Sequence, residues 1–315
     1  MRVLVAGATG VVGRQLVPQL IAAGHQVTAT TRSADKVAGL RAAGADAAVV
    51  DGLDAVAVGE AVARAEPQVV IHQMTALSSE FDLRHFDRTF AATNKLRTTG
   101  LDNLLAAAQA AGAGRVIAQS YTGFPNDRTG GPVKTEDDPL DPEPPKAQRP
   151  TLEAIKYLEH AVVTSPLEGI VLRYGSLYGP GASDLMVDMF KRRKVPVIGD
   201  GGGIWSFLHV QDAASAAVAA LDHAAPGVYN VTDDEPAAVS EWLPVLAAAV
   251  GAKPPLRLPA WLGRLAAGEA AVSMMTRIRG SSNAKAKREL RWDLAWPSWR
   301  DGFARGLYEI APVTT

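Results

Sequence analysis

The first thirteen residues, "MRVLVAGATGVVG", narrow the folds open to this chain more than any other stretch. "VLVAG" is short, apolar and rich in β-branched side chains, as a strand buried on both faces should be. Gly7, Gly10 and Gly13 follow at once. "VVGRQLVPQLIAAG" then has helical spacing, with Val12, Leu16, Leu20 and Ile21 on one side and Gly24 as a stop. Glycines between a strand and a helix meet three demands: a tight turn, close backbone approach to a pyrophosphate, and close packing of helix on strand. The helix N-terminus behind such a turn offers free N–H groups and a positive dipole to phosphates. The spacing is G-x-x-G-x-x-G, not the commoner G-x-G-x-x-G. Its place after a strand and before a helix predicts a dinucleotide held by Gly7, Thr9, Gly10, Val11, Val12 and Gly13.

"QVTATT", "AAVV", "QVVIHQ", "RVIAQS" and "GIVLRY" repeat the strand pattern, with alanine-rich helical stretches between them. This alternation predicts an α/β protein, a doubly wound parallel sheet with helices on both faces. Between Gly123 and Pro150 the pattern breaks into "TGGPVKTEDDPLDPEPPKAQRP", which reads equally as a solvated surface loop or as a lid over a pocket. Beyond Arg173 the order is irregular. Trp292, Trp296 and Trp299 crowd the tail as expected packing anchors for a small lobe.

Lysine plus arginine number 32 against 33 aspartates plus glutamates, a formal charge of −1. That balance gives no electrostatic footprint for nucleic acid or an acidic membrane surface. The basic run Lys191 to Lys194 reads as a solvated helix end. With no cysteine, disulfides and thiolate metal sites are excluded, and no metal is expected. No stretch approaches the ~20 apolar residues of a membrane span, and the opening apolar run is too short for a signal peptide, so a soluble, cytoplasmic protein is expected.

The end of the second strand bears on which dinucleotide binds. NAD sites usually place a carboxylate there for the ribose 2′-hydroxyl, but this chain has Thr30, Thr31 and Arg32. An arginine pairs with a 2′-phosphate, which favours NADP(H) over NAD(H), and Arg14 could add a second charge. Asp51, with Gly52 and Leu53 in the turn after the third strand, is placed to accept a hydrogen bond from the adenine amino group.

Taken in order, these motifs resemble the short-chain dehydrogenase/reductase superfamily, in its extended NAD-dependent epimerase/dehydratase branch. "GATGVVG" is similar to that branch's cofactor loop, and "VVIHQMTA", with His72, to its fourth strand. Asn94 in "TNKLRTTGLDNLL" matches its helix asparagine. "LRYGSLYGPG" resembles the segment passing the nicotinamide, "WSFLHVQDAASA" the R-D-F-x-H-V-x-D signature, and "GVYNVTDDEP" the strand opening the substrate lobe. The resemblance implies a Rossmann domain over residues 1–173, with strands added from about 205–231, and a discontinuous α+β substrate lobe over 174–315. It also implies cofactor contacts from Gln73, Met74, Thr75, Tyr174, Gly175 and Ser176, and a homodimer formed through the helices around Asn94 to Gly112 and Thr151 to Thr164.

The departures carry as much information. In that family a Ser/Thr, a tyrosine and a lysine four residues later run the chemistry: tyrosine protonates the carbonyl oxygen, and lysine lowers its pKa and holds the nicotinamide ribose. In "RPTLEAIKYLEHAV", alignment on Glu159 puts Thr151 and Ile155 at the tyrosine and lysine places, and alignment on Lys156 puts Leu152 at the tyrosine place. Neither register restores the pair. Tyr121 in "IAQSYTG" falls where the family serine belongs. It is the candidate substitute acid, with Thr122 or Ser120 as its hydrogen-bonding partner and Lys156 as ribose holder. The bland readings are an aromatic wall for Tyr121 and a surface lysine beside Glu153 and Glu159 for Lys156. Tyr178 reads as structural.

In the signature segment, Trp205 and Ser206 replace an arginine that often meets a sugar-nucleotide diphosphate. An indole covers apolar rings instead. With Tyr121 and Met74 it points to a less charged small-molecule substrate. His209 reads as a structural histidine and Asp212 as the cap of the helix "DAASAAVAALD". The leading expectation is an NADP(H)-dependent oxidoreductase of a small, largely apolar carbonyl or alcohol, such as a natural-product intermediate. A non-redox isomerase, dehydratase or epimerase and an NADP(H)-sensing regulatory protein stand as alternatives.

Overall fold

The computed structural model describes residues 1–77 and 82–308. Seven parallel strands form its main sheet, in the spatial order Gly227–Val231, Glu168–Tyr174, Arg115–Tyr121, Val69–His72, Arg2–Ala6, Gln26–Thr31 and Asp46–Val49. The first strand pairs with Gln26–Thr31 on one side and Val69–His72 on the other, so the strand order reverses there. Outside the carboxyl ends of the two inner strands such a reversal leaves a crevice, the usual ligand site of open α/β sheets. The register brings Ala6 beside His72, His72 beside Ala118, and Tyr121 beside Tyr174 along that edge.

Both faces of the sheet are covered. On one, helix Gly13–Ala22 lies against the alanine-rich helix Val210–Asp222. Ala213, Ala214, Ala216, Ala217 and Ala220 are all fully buried there with Val3, Val5 and Leu16. Such small side chains let two helix backbones approach closely. On the other face, Ala55–Ala65, Leu101–Ala110 and Arg149–Val163 seal Leu4, Val70, Val116 and Val171. A separate apolar cluster of Tyr178, Phe190, Phe207, Trp242, Trp299 and Phe303 organises the C-terminal residues. Among the described residues no helix is long and apolar enough to cross a membrane.

Three local features differ from expectation. "GVYNV" forms the outer strand of the main sheet, within the 205–231 span expected to add strands to the Rossmann domain, and so precedes the smaller lobe without opening it. The helical run after Asn94 is interrupted by a π-turn over Leu96–Gly100. The proline-rich segment after Gly123 is pinned at several points: Val133–Lys134 pairs with Gly280–Ser281, Arg128 meets Asp141 at 2.8 Å, and Glu136 accepts the Asn230 N–H at 2.7 Å. It is a structured strap, not a free solvated loop.

Candidate active site

The glycine turn is built by steric compulsion at two of its three positions. Gly7 has φ 91°, and a Cβ there would stand 2.5 Å from the carbonyl oxygen of Gln73. A Cβ on Gly13 would come as close to the Gly7 oxygen, at 2.5 Å. Gly10 is looser; its N–H donates to the Gly7 carbonyl at 3.1 Å and closes the turn. Above the turn lies a cleft of about 200 Å³, lined by Gly7, Thr9 and Gly10, by Thr30 and Thr31, and by Gly52, Gln73, Met74, Thr75 and Leu96. Arg32, Ser33 and Lys36 form its outer end. Lys36 was not singled out from sequence; a second cation four residues after Arg32, in "RSADK", is the signal that could have found it.

The cleft fits a dinucleotide. Gln73 is buried and its Nε2 donates to the Tyr174 hydroxyl at 3.0 Å, which leaves its Oε1 buried without a partner among the described residues. An acceptor in that position awaits a donor from a ligand. Tyr174 itself is buried behind the lining, with its hydroxyl donating to the Ala213 carbonyl at 3.2 Å. A Cβ on Gly175 would stand 2.8 Å from the Ser206 oxygen. Asp51 and Leu53 are exposed beside the lining residue Gly52, and the Asp51 carboxylate accepts the Leu53 N–H at 3.0 Å. Val11 and Val12 lie in the turn below. The Arg14 guanidinium packs against Gly181 in the "YGPG" turn, away from the second-strand end where a paired charge was expected.

At the carboxyl end of strand Arg115–Tyr121, outside the lining of that cleft, strand alternation separates three neighbouring hydroxyls. Ser120 donates to Glu159 Oε1 at 2.7 Å, and Thr122 is tied to Asn126 and Ser281. Both are therefore committed elsewhere, and neither assists Tyr121 as expected. The Tyr121 hydroxyl instead meets Ser176 Oγ at 3.0 Å. Burial raises the Tyr121 pKa, opposed by the Ser176 hydrogen bond and the Arg97 charge. Tyr121 and Trp205 pack on one apolar cluster of Phe86, Phe124, Ile155, Ala270, Met274 and Ile278. Trp205 is fixed by its indole N–H, which donates to the Met274 carbonyl at 2.9 Å, and by its stack on Phe207.

Lys156 is not brought to this site. It pairs with Glu153 at 3.0 Å and lines an open groove of about 920 Å³ between helices Phe86–Lys95 and Arg149–Val163. The helix turns that side outward because its buried positions are Thr151, Leu152, Ala154, Ile155, Leu158, Glu159 and Val162. Thr151 accepts from Asn94 Nδ2 at 3.1 Å, Ile155 joins the apolar cluster, and Leu152 is core. Glu159 is held by Arg173 through two contacts at 2.8 and 2.6 Å.

A residue unremarked in the sequence, Arg97, stands in the π-turn one position after the cleft residue Leu96. It is 6% exposed and, among the described residues, makes one hydrogen bond, a long one of 3.4 Å to Asn94 Oδ1. Burial brings its pKa down to about 10, with Tyr121 and Glu159 near enough to oppose the shift. Nearby His72 is fully buried, its Nε2 bonded to the Leu96 carbonyl at 3.1 Å, and burial lowers its pKa to about 4, so it is neutral near pH 7.

His209 is structural, as expected. Its Nδ1 accepts the Gln211 N–H at 3.2 Å while Nε2 meets the Gly306 carbonyl at 3.0 Å. It, and not Asp212, is the helix cap. The Asp212 carboxylate instead anchors the tail by accepting the Ala295 and Trp296 N–H groups, both at 2.9 Å. Among the described residues no group of acidic or histidine side chains could hold a metal ion.

The sheet order, the glycine turn and the cleft at the reversal define a nicotinamide-dependent enzyme of the short-chain dehydrogenase/reductase type. The chain belongs to the NAD dependent epimerase/dehydratase family, whose sequence model matches residues 3–232. It is 46% identical over 313 residues to a 3-diazoavenalumate denitrifying reductase from Streptomyces sp, covering 97% of this chain and 100% of that protein. It is 27% identical to a 2-alkyl-3-oxoalkanoate reductase of Stenotrophomonas maltophilia, over 80% of this chain and 76% of that one. The UDP-glucose 4-epimerase of Thermus thermophilus in complex with NAD shares the fold, with TM-score 0.74, 24% identity and 98% of both chains covered. With these relatives, the chain is an NAD(P)-dependent reductase of the epimerase/dehydratase family.

Proposed function

We propose that this protein is an NADPH-dependent reductase that replaces the diazo group of a largely apolar, aromatic carboxylate with hydrogen and releases dinitrogen. What supports the reading is that neither register of "RPTLEAIKYLEHAV" supplies a tyrosine–lysine pair, with Thr151 and Ile155 or Leu152 and Lys156 at those places, and that Thr151, Leu152 and Ile155 are fully buried. Reducing a carbonyl leaves an alkoxide that must take a proton from a placed acid. A diazonium group imposes no such demand, because it is already cationic. The C–N bond breaks with its electron pair leaving on dinitrogen, and hydride supplies the two electrons of the new C–H bond. The balance is one diazonium and one hydride in, one C–H compound and one dinitrogen out, with no proton from the protein.

Reduced nicotinamide, when bound, is the hydride source; the chain's own residues bind and orient. The Gly7–Gly13 turn receives the pyrophosphate at the helix N-terminus. Arg32, Ser33 and Lys36 at the outer end support a 2′-phosphate and hence NADPH. Tyr121, Trp205 and the Phe86–Phe124 cluster supply an apolar wall suited to a flat ring, and they exclude water from the reacting end. The Streptomyces relative is named for the same chemistry, and both curated relatives are named for carboxylates. The open groove along helices Phe86–Lys95 and Arg149–Val163 supports pairing with a second copy of the chain.

A second reading is favoured by one contact. The Tyr121–Ser176 hydrogen bond at 3.0 Å could position the phenol as the acid of a carbonyl reductase. The test is to supply deuterium-labelled NADPH with an arenediazonium carboxylate and, separately, with aryl ketones and oxo acids, against enzyme-free controls. Deuterium on the ring carbon with loss of dinitrogen supports the proposal. Turnover confined to the carbonyl compounds would replace it with the second reading.

A further inference from the structure

We infer that Arg97 is the receptor for the substrate's carboxylate, its guanidinium binding that group from the π-turn that follows the cleft residue Leu96. The inference rests on the proposed reading in one respect, that the substrate carries a carboxylate. Its own basis is a charge imbalance in the interior.

Two guanidinium groups, Arg97 and Arg173, are buried near one carboxylate, Glu159. Arg173 takes both oxygens of that carboxylate, at 2.8 and 2.6 Å, and Ser120 donates to it as well, at 2.7 Å. Arg97 makes no hydrogen bond to Glu159 among the described residues, although it feels the charge of that carboxylate, which Arg173 already shares. Among the described residues the remaining neighbours offer no charge to balance it: His72 is neutral, Tyr121 is protonated, and Asn94 gives only its amide oxygen at 3.4 Å. A buried cation with one long hydrogen bond is costly unless a ligand completes its shell. The guanidinium fork matches a carboxylate in shape and charge, whereas a neutral ribose hydroxyl could satisfy a donor but not the charge.

Position supports the same assignment. Arg97 follows Leu96, which lines the cleft, and its charge is felt at Tyr121, whose ring shares the apolar cluster with Trp205. It does not line the outer groove, where Asn94, Lys95 and Thr98 are found. The π-turn over Leu96–Gly100 shifts the helical register at this point, and single π-turns inside helices commonly mark functional sites. The cation that the usual lysine would bring on helix Arg149–Val163 is absent at Ile155, and Arg97 brings one from the neighbouring helix.

The test uses benzoate as a carboxylate probe and benzamide as its neutral counterpart, each titrated calorimetrically into the protein saturated with NADP+. The expected result is benzoate binding at least tenfold tighter than benzamide. Arg97→Met should remove that preference and leave benzamide binding unchanged, and Arg97→Lys should restore part of it. NADP+ affinity and the thermal midpoint, measured on each variant, report folding; should Arg97→Met fail to fold, the lysine variant's loss of preference is the readout. In turnover, Arg97→Lys should raise KM for the carboxylate substrate but not for its methyl ester, with kcat little changed. Equal binding of benzoate and benzamide to the wild-type protein would overturn the assignment, as would an unchanged preference in the variants. Because probe binding needs no turnover, failure of the diazo chemistry would leave this readout intact.

Discussion

The hydroxyls of Tyr121, at the carboxyl end of strand Arg115–Tyr121, and Ser176, two residues beyond the adjacent strand Glu168–Tyr174, meet at 3.0 Å, and neighbouring Thr122 is tied to Asn126 and Ser281 instead. Tyr121 is therefore a phenol held by a single hydroxyl, with no lysine beside it to lower its pKa. Burial raises that pKa further. If dinitrogen loss needs no acid, Tyr121→Phe should keep diazo-substrate turnover within about tenfold of wild type, the scale of one lost neutral hydrogen bond. A catalytic acid would lose about 100-fold or more. Steady-state rates on the diazo substrate decide between them.

Gly7→Ala should cripple cofactor binding. The added methyl would stand 2.5 Å from the Gln73 carbonyl oxygen, at a backbone φ of 91° that alanine disfavours. Strain of about 1–3 kcal/mol predicts roughly a 10–100-fold weaker affinity for NADPH. Titration by nicotinamide fluorescence measures it. Gly10→Ala is the control, because its methyl would lie 3.3 Å from the Gly7 oxygen and needs only a small adjustment.

Arg32 and Lys36 converge at the outer end of the cleft. Charge-assisted hydrogen bonds contribute about 1.5–3 kcal/mol each, so Arg32→Ala should raise the Kd for NADPH about 10–100-fold. Lys36→Ala should act in the same direction. Neither should change NADH binding, which lacks the 2′-phosphate. A variant that lost both cofactors equally would show that the cations serve the shared part of the dinucleotide.

Asp233 gives the fold a pH dependence. It is buried, one oxygen accepts the Glu235 N–H at 3.3 Å, and the other has no partner among the described residues. Burial, the largest cause, pushes its pKa from 3.8 up to about 8. The folded state therefore binds a proton that the unfolded chain releases above about pH 4. The stability this contributes is full below that point and is lost as pH rises through about 8. Asp233→Asn should remove this fall, and its stability relative to wild type should improve by at least about 1 kcal/mol between pH 5 and pH 8. Urea denaturation at the two pH values checks the sign.

The sequence by itself determined the sheet and the nucleotide turn, and it raised the expectation that the usual acid–base pair is missing. These are local or periodic properties. Buried parallel strands read as short β-branched runs, and a glycine between strand and helix reports a backbone constraint. Trp205 as an apolar cover and Tyr121 as a candidate acid or aromatic wall stood out because their types departed from a familiar pattern at known places. What tertiary structure decided was which side chains face the cleft and which charges are already paired. Lys156 and Ile155 are adjacent in sequence, yet the helix turns one to the outer groove and the other to the apolar cluster. Asp212 was read as a cap from its position near a helix start, but its partners lie more than eighty residues further along the chain. Arg97 carries no motif at all. It becomes conspicuous only when Arg173, from a distant strand, is seen to take both oxygens of the Glu159 carboxylate. Charge balance in an interior depends on contacts between segments far apart in sequence, and no local pattern encodes it.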